Sequence, residues 1–167
     1  MRRTAIAAAA SILFMAAAHA EMAAPTTPAP APPPQYGQPG VTLEQAQAAA
    51  AAAVAEAKKN GWLMAVAVVS NSGFLVSFSK MDQTQFASVQ IAMDKAKAAA
   101  QFRRPTKVFE DRANSGGPSV LSLHGVVASE GGLPLMRDGK VIGAIGCSGG
   151  TGQQDGVACK VGADTIK

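Results

Sequence analysis

Two short strand-forming stretches, each folded back by turn chemistry, constrain this chain most. Leu63 to Ser70 (LMAVAVVS) is apolar and β-branched, Asn71-Ser72-Gly73 is a turn, and Phe74 to Lys80 alternates. That alternation puts Phe74, Val76 and Phe78 on one side and Leu75, Ser77 and Ser79 on the other. Leu133 to Met136 and Lys140 to Cys147 flank Asp138-Gly139, a pair suited to the positive φ angles of a type I′ turn. Two hairpins fix antiparallel pairing locally. They argue against a parallel sheet, whose strands need helical crossovers between them.

Helical signals surround the hairpins. Thr42-Leu43-Glu44-Gln45 is a capping box, an alanine-dominated run follows to Lys59, and Asn60-Gly61 closes it. Thr84 to Phe102 predicts a second helix, with Phe86, Val89, Met93, Ala96 and Ala100 on one stripe. Pro105 stops it, a short helix spans Thr106 to Arg112, residues 114–132 form a glycine-rich loop, and Gln153 to Ile166 is a final helix. The order α-β-β-α-loop-β-β-α predicts an α+β domain, an antiparallel sheet with helices on one side.

This domain begins near Val41. Residues 1–20 read as a secretory signal peptide: Arg2-Arg3, an apolar run from Ala5 to Ala18, and the small-x-small site Ala18-His19-Ala20. Residues 21–40 read as a Pro-rich linker, since seven of the ten prolines fall between Pro25 and Pro39. Cleavage after Ala20 would take the basic residues from 15 to 13 against 11 acidic ones, leaving a net charge of +2. A periplasmic or secreted protein with so small a charge gives no ground for nucleic acid as a partner. It also retains no membrane span, and no lipobox cysteine follows Ala20.

Few residues carry evident chemistry. Gly146-Cys147-Ser148-Gly149-Gly150 superficially resembles a nucleophile elbow, but it follows a hairpin strand, and His124 would be the only histidine base left after cleavage. No catalytic residue is assigned, and no zinc or EF-hand spacing is present. His124 is the candidate metal ligand, because haem iron needs as little as one protein ligand. Lys95, Arg103 and Arg104 are candidates for carboxylate contacts; Arg103-Arg104, followed by Lys107 and Arg112, ends a helix, where cations either suit the helix dipole or clamp an acidic ligand. The glycine corner, Gly149 and Gly150 included, either presents amides to an anion or makes a tight turn. Cys147 and Cys159 either pair as a disulfide, as an oxidising compartment permits, or stay as buried thiols.

An ordered set of motifs then becomes recognisable. Met81-Asp82, Ser88, Ala92-Met93-Asp94-Lys95-Ala96 and Phe102-Arg103-Arg104-Pro105-Thr106 come first. Gly131-Gly132-Leu133-Pro134, Asp138 to Gly146, Ser148-Gly149-Gly150 and Gln154-Asp155 follow. From Val41 to Ile166 the chain resembles the GlcG/HbpS family of haem-degrading and haem-binding proteins. The resemblance implies a profilin-like domain, homo-oligomers from dimer to octamer, and a haem or related tetrapyrrole ligand. It also implies an accessory role in redox or haem sensing. His124 lies in a stretch, Leu121 to Glu130, that follows the pattern loosely, so its role is read from its chemistry alone. The expected function is an exported tetrapyrrole-binding protein. A haem-degrading or other small-molecule enzyme is the alternative, and a non-catalytic oligomeric partner subunit is the third.

Overall fold

A computed structural model describes residues 40–166. The expected signal peptide lies outside the described residues, as does the expected Pro-rich linker but for its last residue, Gly40. Helix α1 (Leu43–Lys59) is capped at Thr42, whose hydroxyl accepts the Gln45 N–H while the Gln45 side chain accepts the Thr42 N–H. Strands β1 (Ala65–Ser70) and β2 (Leu75–Lys80) form the first hairpin. Helix α2 (Ala87–Phe102), helix α3 (Lys107–Asn114) and a 3-10 turn (Pro118–Ser122) lead to the second. That hairpin joins β3 (Gly132–Arg137) to β4 (Lys140–Ser148), and α4 (Gly152–Ala163) ends the domain. Asp138 and Gly139 both have positive φ, 51° and 72°, as a type I′ turn requires. The four strands pair antiparallel in the order β2-β1-β4-β3. The α+β architecture is as expected.

The placement of the helices is not. They cover both faces of the sheet, not one. Alanines of α1 and Ala158 and Cys159 of α4 pack on Val66, Val68, Leu135, Ile145 and Cys147. On the opposite face, Ala92, Ala96, Ala99 and Ala100 of α2 pack on Ala65, Ala67, Val69 and Ala144. The cause is visible in β1 itself. AVAVV has no polar face, so either side exposed to water would waste apolar burial. Its alternation is of size: the alanines face α2 and the first two valines face α1.

Small residues let α2 lie almost against the strand. A Cβ at Gly146 would fall on the Ala92 carbonyl oxygen and the Ala96 amide. Those are backbone atoms of a helix and cannot swing aside. Gly146→Ala is expected to cost about 1–3 kcal/mol, read as a lower denaturation midpoint with an unchanged slope.

Two periodicity expectations are corrected. Phe86 is 91% exposed, and α2 begins one residue later, at Ala87. The buried residues of α2 are Ser88, Ala92, Lys95, Ala96, Ala98, Ala99 and Ala100, so of the expected stripe Ala96 and Ala100 are buried while Val89 and Met93 are half-buried. In β2, Ser77 pairs with Val68 and Leu75 with Val69, so Val76 is an inserted bulge residue. The bulge breaks the alternation: Val76 packs with the α1 cluster, Phe78 with the α2 cluster, and Phe74 stays exposed.

Candidate functional site

One ion pair among the described residues is buried. Lys95 of α2 and Asp155 of α4 meet at 2.7 Å, with side chains 2% and 3% exposed. Lys95 Nζ also donates to the Glu130 carbonyl oxygen at 2.6 Å, and the other Asp155 oxygen accepts the Gly150 N–H at 3.0 Å. Burial raises the Asp155 carboxyl from its ordinary pKa; the Lys95 ammonium and the Gly150 and Gly149 amides oppose that rise. Gly131 has a φ of 120°, and a Cβ there would strike Asp155, Cys147 and Lys95. The pair therefore closes over a backbone that tolerates no side chain.

Three expected ligand contacts belong to this lock instead. Lys95 is enclosed, with its ammonium bonded to Asp155 and the Glu130 carbonyl, so it is not available to a ligand carboxylate. Gly150 gives its amide to Asp155. A Cβ on Gly149 would fall on the Leu63 carbonyl, so that glycine marks a packed corner. The corner is a structural turn, and its amides face a protein carboxylate. Ser148 is also enclosed, donating its hydroxyl hydrogen bond to Ser88 at 3.2 Å, which removes any likeness to a nucleophile elbow. Beside it, Cys147 of β4 and Cys159 of α4 are joined as a disulfide, with Cα atoms 5.7 Å apart.

The remaining candidates lie at the surface and are not all together. Arg103 ends α2 in the left-handed conformation, φ 54°, and lines a cavity with Met136 and Lys140. Arg104, its neighbour, lines a different groove with Phe102, Val108, Arg112 and Leu123. His124 is exposed in a cavity of about 380 Å³, bounded by Asp94, Lys97, Gln101, Val126 and Val127. Its imidazole takes part in no hydrogen bond or ion pair among the described residues. No cluster of three or more His, Cys, Asp or Glu able to hold a metal ion occurs among those residues. Nor is any described helix long and apolar enough to cross a membrane. Sequence reading missed Asp155 as the partner of Lys95. It also missed a cavity of about 630 Å³ between α1 and β2, whose wall includes Lys58, Lys80 and Asp82.

The family model described as "Haem degrading protein HbpS-like" matches residues 41–164. The chain belongs to the HbpS-like family. It is 38% identical over 93 residues to the protein GlcG of Escherichia coli (strain K12), covering 56% of this chain and 69% of that one. Among solved structures, a Streptomyces reticuli HbpS double mutant superposes with a TM-score of 0.72 at 30% identity, covering 84% of this chain and 99% of that one. A PduOC:heme complex superposes with a TM-score of 0.70 at 26% identity, covering 77% and 96%. This HbpS-like chain therefore shares its fold with a protein whose structure was solved with haem.

Proposed function

We propose that this HbpS-like protein is an exported binder of haem or a related tetrapyrrole, with His124 as the axial iron ligand. The carrying observation is the state of His124: an exposed imidazole without a protein partner, at a cavity whose wall holds apolar Val126 and Val127 beside the oppositely charged Asp94 and Lys97. That chemistry fits the group. An imidazole supplies the iron ligand, and valines suit the macrocycle. Bound haem would supply a redox-active iron and an intense Soret band. The relation to a protein solved as a haem complex supports the reading. The signal-like first twenty residues support export.

The family description favours a second reading, haem degradation. On that reading, catalytic amounts of protein consume excess haem with product formation. Ser148, Lys95 and Asp155 are all buried, so the described interior offers no acid–base pair open to such a substrate.

The test is a haemin titration of the purified protein, followed by absorbance. A shifted Soret band that saturates at a fixed haem-to-chain ratio is expected. A linear, unshifted rise would overturn the proposal. Loss of the band with turnover beyond one haem per chain would move the assignment to the enzyme.

A further inference from the structure

The groove between α3 and the 3-10 turn carries an unbalanced charge. Arg104 and Arg112 both line its cavity of about 520 Å³, and no carboxylate does. The acids of α3 are engaged elsewhere. Glu110 accepts the Glu130 N–H, and Asp111 pairs with Lys107 at 2.8 Å. Every ion pair among the described residues uses a lysine, so neither arginine has a carboxylate partner there. Arg104 Nε donates to the Phe102 carbonyl at 3.1 Å, which orients the guanidinium and leaves its terminal nitrogens to bind something else. Apolar walls lie beside this charge: Val108 and Leu123 are 43% and 50% exposed, over a floor of buried Phe109 and Val120.

Two guanidiniums beside apolar walls match a ligand with an apolar body and two carboxylates. A guanidinium grips a carboxylate through two parallel hydrogen bonds, which an ammonium cannot reproduce. The groove also adjoins the His124 cavity along the chain. Phe102 and Leu123 line the first, and the residues beside them, Gln101 and His124, line the second. Arg103 is excluded from this role because it lines another cavity.

We infer that Arg104 and Arg112 are the carboxylate-reading pair of the binding site and select a dicarboxylate tetrapyrrole over its neutral ester. The inference rests on the haem-binding reading. It singles out Arg104 and Arg112 from the basic residues around the end of α2 and sets Arg103 aside.

The experiment compares haemin with haemin dimethyl ester, in the same detergent, on the wild-type chain and on Arg104→Gln/Arg112→Gln. At about tenfold per guanidinium, the wild type should bind haemin about 100-fold more tightly than the diester. The double variant should lose that preference while its affinity for the diester stays unchanged. Arg104→Lys/Arg112→Lys should recover part of the preference, because charge remains without the planar fork. Saturable binding of both compounds with equal affinity by the wild type would overturn the inference and leave haem binding standing. Saturable binding of neither would overturn the haem-binding reading and the inference together. The wild-type comparison needs no variant, so a folding defect in the glutamine form cannot mask the result.

Discussion

Lys95→Met is expected to lower stability by about 3–5 kcal/mol, because it strips a buried carboxylate of its counter-ion. Asp155 would keep only backbone amide donors, and the Glu130 carbonyl would lose its donor altogether. For a domain of this size the melting temperature should fall on the order of 10–20 °C. Lys95→Met/Asp155→Leu should recover more than half of the loss, since an apolar pair carries no desolvation penalty. The deficit of the single variant should also depend on pH. Burial already raises the Asp155 carboxyl, and loss of Lys95 removes the leading opposing effect. A carboxyl whose folded pKa lies above its unfolded one favours folding when protonated. That contribution is full below the unfolded pKa and disappears as pH rises through the folded one. The variant should therefore approach the wild type on acidification. Thermal melts across the acid range check this. A single-variant loss below about 1 kcal/mol, typical of an exposed pair, would contradict the account.

Removing the disulfide is the second large effect. Cys147→Ala/Cys159→Ala is expected to cost about 3 kcal/mol, the chain entropy restored to an unfolded loop of this length, with the cysteines 12 positions apart. The effect is local in consequence. Helix α4 is tied to strand β4 by this bridge and, one turn earlier, to helix α2 by the bond of Asp155 to Lys95. Both sulfur-bearing residues are fully buried. Mild reductant should therefore leave the folded protein oxidised and act only on the denatured chain. Denaturant midpoints with and without dithiothreitol measure the difference, and a free-thiol assay counts the cysteines. Equal midpoints, or two reactive thiols in the denatured protein before reduction, would show that the bridge does not form in solution.

Local chemistry was legible in the sequence and long-range pairing was not. The Thr42–Gln45 capping box and the Asp138-Gly139 turn appear where their residues predict, because each signal acts over a few positions. A second box at Thr151 and Gln154 was equally available and sets the start of α4. Lys95 read as a candidate contact for a ligand carboxylate. Its partner lies 60 positions away, and nothing local announces it. The surrounding alanines were the weak clue, since such a stripe marks close approach of two backbones. Phe86 misled by size: large apolar residues usually mark a buried face, but here close packing reserves that face for alanine and glycine. Among the site residues, the separation of Arg103 from Arg104 depends on one left-handed residue at the end of α2. The contribution of Arg112 to the same groove as Arg104 depends on how α3 packs on the 3-10 turn.

The most direct test of the central claim is haemin binding to His124→Ala beside the wild type, with the iron's ligand state read by electron paramagnetic resonance and the Soret band. Loss of the nitrogenous axial-ligand signature in a variant that melts at the wild-type temperature is the predicted result. An identical spectrum and affinity in the two proteins would contradict it and place the iron ligand elsewhere.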